Sequence, residues 1–155
     1  MTATIDPLVI APATRNDATI IAEFNIAMAL ETEDKALDAD TVRRGVAGLF
    51  DDPARGTYLL ARRGDAVAGQ IMWTYEWSDW RNGNFWWIQS VYVRPEFRRQ
   101  GVFGVLFEAV RTRAAAAPDS CGIRLYVDND NAGAQATYKA LGATLTDYAL
   151  MEWVF

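Results

Sequence analysis

The sequence predicts one α/β domain of the α+β kind, built around a single mixed sheet. Segments with the two-residue alternation of strands are interleaved with segments whose apolar residues recur at helical spacing. The 155 residues are the usual size of one domain, and 51% of them are hydrophobic against 23% charged. We therefore expect residues 1–155 to fold as one unit, without linkers or internal repeats.

The first third of the chain predicts a strand and then two helices. Leu8 to Ala11 is a short apolar run that ends at Pro12. Asn16 or Asp17 can cap a first helix, and Asp38 or Asp40 can cap a second, because short polar side chains accept hydrogen bonds from free helix N–H groups. The apolar positions at helical spacing are Ile20, Ile21, Phe24, Ile26 and Met28 in the first helix and Val42, Val46 and Leu49 in the second.

The middle of the chain predicts a hairpin and a further strand. Thr57 to Arg62 and Val67 to Trp77 are rich in branched and aromatic residues, and Gly64-Asp65 between them is typical of a tight turn. After a polar stretch, Phe85 to Val93 has the same strand composition and ends before Pro95.

The last third of the chain returns to helices and ends in apolar segments. A helix opened by glycine is expected from Gly101 to Ala117, a strand from Ile123 to Val127, and a second helix from Asn131 to Leu141, ended by Gly142. Thr144 to Tyr148 and Leu150 to Phe155 then predict a closing antiparallel pair of strands.

Composition excludes several kinds of chemistry. There is no histidine, which removes the commonest general base and the commonest metal ligand, so we expect no metal site. Cys121 is the single cysteine, so no internal disulfide or Cys-His pair can form, which favours a reducing, cytoplasmic setting. The net charge of -5 argues against general nucleic-acid binding, and no apolar run is long enough to predict a membrane span.

One segment has the pattern of an anion-binding turn. Val91 to Val93 ends a strand, and the basic residues Arg98 and Arg99 then precede Gly101 and Gly104 at a predicted helix start. The first N–H groups of a helix have no internal partner and carry partial positive charge, so they can bind a pyrophosphate. The alternative is a simple tight turn with solvated arginines. Neither a P-loop nor a dinucleotide-binding glycine pattern is present.

The same segment resembles the acetyl-coenzyme A signature of the GCN5-related N-acetyltransferase (GNAT) family, Arg/Gln-x-x-Gly-x-Gly/Ala. Here it reads Arg98-Arg99-Gln100-Gly101-Val102-Phe103, followed by Gly104, so Phe103 departs from the sixth position. Downstream, Asn131, Ala134, Tyr138 and Leu141-Gly142 are similar to the family's later block. The resemblance implies a mostly antiparallel sheet with helices on both faces, splayed central strands, acetyl-coenzyme A as acyl donor and a homodimer.

The resemblance also implies roles for individual residues. The implied coenzyme A-binding residues are Val91, Tyr92, Val93, Arg98, Arg99, Gln100, Gly101, Val102, Phe103, Gly104, Asn131 and Tyr138. The backbone of Val91 and Val93 would pair with the pantetheine arm as a strand would. Tyr138 is the candidate general acid, because a phenol with a pKa near ~10 can protonate a thiolate whose conjugate acid has a pKa near ~8.5.

The acceptor amine needs a base, and the sequence offers carboxylates rather than histidine. Many relatives have Glu where this chain has Gln89, which cannot take a proton but can orient water or the acceptor. We therefore assign the base to Glu76 on the neighbouring strand. Glu31, Glu33, Glu76 and Asp79 are candidate residues for binding a cationic acceptor, although each alone is also explained as a solvated surface carboxylate.

Three functions fit these observations. The first is direct acetyl transfer from acetyl-coenzyme A to a small primary amine in a ternary complex. The second is acetylation of a protein or peptide, and the third is a non-catalytic acyl-coenzyme A sensor, suggested by Gln89 standing where relatives carry a base.

Overall fold

A five-stranded sheet organises the chain up to Leu125 in the computed structural model, which describes residues 6–155. The strands are β1 (Leu8–Pro12), β2 (Thr57–Arg63), β3 (Ala66–Ser78), β4 (Gly83–Val93) and β5 (Ser120–Leu125). They lie side by side in chain order, with three antiparallel pairings followed by a parallel pairing of β4 with β5. The predicted mixed, mostly antiparallel sheet is confirmed.

Three helices cover this sheet, and a fourth lies in a separate compact unit from Tyr126 to Phe155. The helices are α1 (Ala18–Glu33), α2 (Ala39–Asp51), α3 (Val102–Ala116) and α4 (Ala132–Ala140). Asp38 caps α2 and Asn131 caps α4, each accepting a hydrogen bond from a backbone N–H three residues along, as the sequence predicts. No helix among the described residues is long and apolar enough to cross a membrane, and the cytoplasmic location stays a prediction.

The core lies on both faces of the sheet because successive side chains of a strand point to opposite sides. On one face, Tyr58 and Leu60 of β2 pack with Ile21 of α1 and Val46 of α2. On the other face lies α3, whose buried residues are Val102, Leu106, Phe107, Val110 and Ala114. Gly69 of β3 faces α3, since a side chain added there would contact Val102. The helices therefore cover both faces, as expected.

Strand β4 contains a bulge and extends beyond the end of its neighbour β5. Between the pairs Met72–Gln89 and Gln70–Tyr92, β3 has one residue and β4 has two, Ser90 and Val91. Ser90 has a φ of 49°, a left-handed conformation that a non-glycine residue rarely adopts. The pairing with β5 ends at Ile88–Leu125, so residues 89–93 of β4 continue without β5 beside them.

Two expectations about strands are corrected. The fifth strand spans Ser120–Leu125 rather than Ile123 to Val127, because it starts within the polar, glycine-containing stretch after Pro118 that is typical of a turn. The predicted closing pair, Thr144 to Tyr148 and Leu150 to Phe155, is wrong, since residues 141–155 contain no strand. Apolar alternation shows that a segment suits a strand, but a strand also needs a paired edge.

Candidate functional site

A cleft lies where β4 leads through a turn into α3. Its volume is about 280 Å³, and it is lined by Val93, Phe97, Arg98, Arg99, Gly101, Val102, Phe103 and Gly104. Pro95–Phe97 forms one short helical turn after β4, and α3 then begins at Val102. The structure thus brings together at one place most of the residues that the sequence predicts to bind coenzyme A.

The floor of the cleft is bare backbone at the two glycines. Gly101 has a φ of 79°, which suits glycine because it lacks a Cβ atom. A Cβ atom added at Gly101 or Gly104 would meet nothing within 4 Å, so open space lies directly above the main chain at both positions. No side chain caps the N-terminus of α3. Its first N–H groups have no intrahelical partner and therefore suit an anion.

Arg98 ties this turn to α1 and to β4. Its Nε donates to the Val93 carbonyl at 2.9 Å, and its Nη2 donates to Glu31 Oε2 at 2.6 Å. The hydroxyl of Tyr92 donates to the other oxygen of Glu31 at 3.0 Å. The hydrogen bond from Arg98, followed by that from Tyr92, lowers the pKa of Glu31. Glu31, predicted to bind the acceptor, instead contacts two residues that are predicted to bind coenzyme A.

The other two polar residues of the turn differ in their contacts. Gln100 accepts a hydrogen bond from Arg63 of β2 and donates to the Glu96 carbonyl, so it holds the turn against the sheet. Arg99 is exposed, has a φ of 60°, and forms no ion pair among residues 6–155. Arg99 is therefore the cation of the turn that is available to a bound anion, while Arg98 is already balanced by Glu31.

The second feature of the site is an open strand edge. Residues 89–93 of β4 extend beyond the last pair with β5, so within the sheet unit this edge has no strand partner. Val91 and Val93 lie in this stretch, directly before the turn that leads to α3. Unpaired backbone N–H and C=O groups of such an edge can hydrogen-bond an extended amide chain.

Polar groups from three strands lie together on one face of the sheet. Gln89 Nε2 donates to Thr74 Oγ1 at 2.8 Å, and Glu76 lies two residues further along β3 on the same face. Glu76 Oε1 accepts a hydrogen bond at 2.7 Å from Arg124, whose guanidinium lies 3.7 Å from the centroid of the Phe85 ring. Sequence reasoning missed Arg124, because nothing in the short pattern of β5 distinguishes it from a solvated arginine.

The remaining predicted site residues belong to α1, to the turn after β3 and to the C-terminal unit. Glu33 ends α1 and is exposed, and Asp79 is exposed in the turn after β3, where its side chain accepts from the Trp80 N–H at 3.0 Å. In the C-terminal unit, Asn131 caps α4 and Tyr138 lies on α4, where burial raises the pKa of its phenol. The roles given to these residues stay predictions.

The residues of the cleft fit the chemistry of coenzyme A. Bare glycine backbone at the start of an uncapped helix suits a pyrophosphate, Arg99 supplies a positive charge, and the open edge of β4 suits the amide-containing arm. These are the donor types that an elongated, anionic ligand with internal amides requires.

A side chain at Gly104 tests this cleft directly. Gly104→Leu should leave the protein as stable as before or more stable by about 0.5–1 kcal/mol, because leucine favours a helix and its Cβ atom meets nothing within 4 Å. It should nevertheless weaken coenzyme A binding about tenfold or more, measured by isothermal titration calorimetry, because the new side chain occupies the cleft.

Gly45→Leu is the matched control. Gly45 is exposed on α2 with nothing within 4 Å of an added Cβ atom, so the same helix gain is expected with unchanged affinity for coenzyme A. Equal affinity of the Gly104→Leu and wild-type proteins would contradict the assignment of the cleft.

Comparison with known proteins finds acetyltransferases that share this fold. A solved structure described as a possible acetyltransferase from Clostridium difficile 630 is 44% identical and superposes with a TM-score of 0.91 over 96% of this chain and 97% of that one. The fold is also shared, with a TM-score of 0.77 over 94% and 96% of the two chains, by a "predicted acetyltransferase with acetyl-CoA" from Clostridium acetobutylicum at 14% identity.

A curated relative is similar in part of its length. The thialysine N-epsilon-acetyltransferase of Bos taurus is 33% identical over 82 residues, which are 52% of this chain and 46% of the relative. The matched region thus spans less than half of that protein. The acetyltransferase (GNAT) family pattern matches residues 21–143, which include strands β2 to β5, the cleft and α4. The resemblance seen in the sequence is confirmed, and the chain belongs to the GNAT family of acetyltransferases.

Proposed function

We propose that this protein transfers an acetyl group from acetyl-coenzyme A to a small primary amine by direct attack within a ternary complex. The observation that carries the proposal is the cleft at the start of α3, where bare glycine backbone meets the open edge of β4. Two similar proteins support the proposal further. One relative is a thialysine N-epsilon-acetyltransferase, and one structure of the same fold is described with acetyl-CoA.

In the proposed complex, the chain holds the donor at two points. The N–H groups at the start of α3, together with Arg99, bind the pyrophosphate, and the backbone of Val91 and Val93 pairs with the pantetheine arm. Acetyl-coenzyme A supplies the activated carbonyl that the amine attacks. Because Arg98 is bound to Val93 and Glu31, its role is to fix the turn and the end of β4 in one arrangement.

The acceptor that these charges favour is cationic. The chain has a net charge of -5, and an acidic surface attracts protonated amines. Glu33 and Asp79 are exposed carboxylates that support such an attraction, whereas Glu31 is engaged by Arg98. An amine attacks only after losing its proton, so the site also needs a base.

Glu76 is the proposed base and Tyr138 the proposed acid. Glu76 shares one face of β3 and β4 with Thr74 and Gln89, and its Oε1 accepts a hydrogen bond from Arg124. Tyr138 is assigned from its place in the family motif. Since burial raises the pKa of its phenol, it stays protonated through neutral and moderately alkaline pH, as a proton donor must.

Release of free coenzyme A from acetyl-coenzyme A, measured against diamines, amino acids and lysine peptides, tests the reaction. Turnover with small amines is expected, with a kcat about a hundredfold lower in Tyr138→Phe, because the departing thiolate then lacks its proton donor. Any alkaline fall of the wild-type rate due to Tyr138 should come at a higher pH than for an ordinary tyrosine, since burial raises its pKa. Turnover with peptides alone, or with no amine at all, would contradict the proposal.

Replacing Glu76 tests the base. Glu76→Gln should lower kcat by about a hundredfold at neutral pH, because an amide cannot take the proton. The defect should shrink as pH approaches the amine's own pKa, near ~10.4 for a lysine-like acceptor, because hydroxide then removes the proton. The measurement is a pH–rate profile.

The control for Glu76→Gln removes the other partner of the same ion pair, Arg124. Arg124→Gln leaves the carboxylate in place and should keep kcat within about threefold of wild type, as removal of an exposed ion pair costs little. Equal losses in both variants would mean that the ion pair, rather than the base, is required.

We also propose that the protein forms a homodimer. The C-terminal unit carries apolar side chains that are mostly exposed, including Tyr148, Leu150, Met151 and Trp153, and exposed apolar clusters are typical of interfaces. Light scattering should give twice the mass of one chain, and the mass of a single chain would contradict the proposal.

A further inference from the structure

One polar side chain is completely buried in the middle of the sheet. Gln70 of β3 has no exposed surface, and it is the single polar residue in the buried core of the part of the chain that the structure describes. Its Nε2 donates to Asn25 Oδ1 of α1 at 2.7 Å and to the carbonyl of Ser90 at 3.1 Å. Both donor hydrogens of the amide are therefore used, one on α1 and one on the bulge of β4.

The same network reaches the bulge from a second direction. Asn25 Nδ2 donates to the hydroxyl of Tyr58 at 3.0 Å, and the side chain of Ser90 lies near enough to that hydroxyl to act on its pKa. Tyr58 is 4% exposed, and burial raises the pKa of its phenol, so the hydroxyl stays neutral. Ser90, the residue with the left-handed backbone, is thus held through its carbonyl by Gln70, and its side chain lies beside Tyr58.

Stability alone does not account for this arrangement. Gln70 Oε1 is buried and has no hydrogen-bond partner among the described residues, and an unpaired buried acceptor is destabilising. A left-handed serine is also strained relative to an ordinary strand residue. An apolar side chain at position 70 with a regular β4 would avoid both costs. What the network does provide is a fixed position for the bulge.

The bulge decides which backbone groups of β4 face its open edge. Without the extra residue, every position after it would shift by one along the strand, and each side chain and backbone group would turn to the other side. The residues affected are 91–93, which form the open edge beside the cleft. Gly69, next to Gln70, brings β3 close to this stretch, since a Cβ atom there would lie 2.7 Å from the Tyr92 carbonyl.

We propose that Gln70, with Asn25 and Tyr58, is a positioning residue that locks the Ser90 bulge and so presents the backbone of residues 91–93 to coenzyme A. Gln70 acts through Ser90 and touches neither the donor nor the acceptor. The inference rests on the proposed binding of the donor along β4, and it assigns the geometry of that edge to a side chain on a different strand.

Gln70→Met tests the proposal with coenzyme A itself as the probe. Methionine keeps the length and volume of the side chain and removes the amide, so the protein should fold, while the Ser90 carbonyl loses its donor. We expect the Kd for coenzyme A, measured by calorimetry, to rise about tenfold. In turnover, the KM for acetyl-coenzyme A should rise while the KM for the acceptor stays unchanged.

A loss of fold would have a different signature. Leu59→Ala removes a fully buried side chain of β2 and serves as the control, because it lowers thermal stability without touching the network. Partial unfolding lowers the fraction of active protein, and hence kcat, but leaves the Kd of the folded fraction as in wild type. The Gln70→Met variant should therefore differ from Leu59→Ala in Kd and KM.

The double variant Gln70→Met/Ser90→Gly supplies a rescue. Glycine adopts positive φ without strain, so the bulge no longer needs the glutamine, and the Kd should return to within about threefold of wild type. If the defect were general destabilisation, glycine in a strand would increase it. Tyr58→Phe removes one hydroxyl from the same network and should raise the Kd for coenzyme A about twofold to threefold. If Gln70→Met is insoluble, the Kd of Tyr58→Phe tests the proposal in its place.

Each outcome has one meaning. Wild-type affinity for coenzyme A in both Gln70→Met and Tyr58→Phe overturns the proposal, as does a double variant that binds more weakly than Gln70→Met. If the wild-type protein binds coenzyme A but acetylates no amine, the proposed reaction fails while the result for Gln70 stands. If the wild-type protein does not bind coenzyme A, both are overturned.

Discussion

The path of β4 after Ile88 is the constraint on which the site depends. Up to that residue the strand is paired on both sides, and beyond it the pairing with β5 stops while the pairing with β3 continues through a bulge. A regular strand paired on both edges would have no free backbone for a ligand. The strained conformation at Ser90 and the loss of one neighbour thus leave an open backbone edge at the end of β4.

Helix α1 is the element that holds this path in place. Asn25 bonds Gln70, which holds the bulge, and Glu31, six residues later, bonds both Tyr92 and Arg98 at the end of the strand. These contacts are side-chain to side-chain and span up to 67 residues of sequence. Movement of α1 would therefore reach both the strand edge and the turn before α3, the two parts of the proposed donor site.

Sequence reasoning found what is encoded locally. The helix caps at Asp38 and Asn131, the hairpin and the glycine-containing turn before α3 each follow from a few neighbouring residues, and the structure has them. The bulge was not predictable, because Ser90 is neither glycine nor asparagine and nothing in its neighbours signals a positive φ. The role of Glu31 depends on a partner far away in sequence, and the segment after Ala143 has strand-like alternation without strand pairing. Gln70 is visible in the sequence as a lone amide within an apolar part of a strand. Its proposed role, however, follows only from its contacts with Asn25 and Ser90.

The bare floor of the cleft also explains why the departure at Phe103 is tolerated. Its ring lies 6.0 Å from that of Phe107, one turn further along α3, so the bulk is accommodated on the helix itself. The groups offered to a phosphate there are main-chain amides, which every residue except proline supplies. In the proposed complex, recognition therefore depends on the shape of the backbone as well as on the charge of Arg99. A backbone shape can be kept while the residues of a sequence motif change.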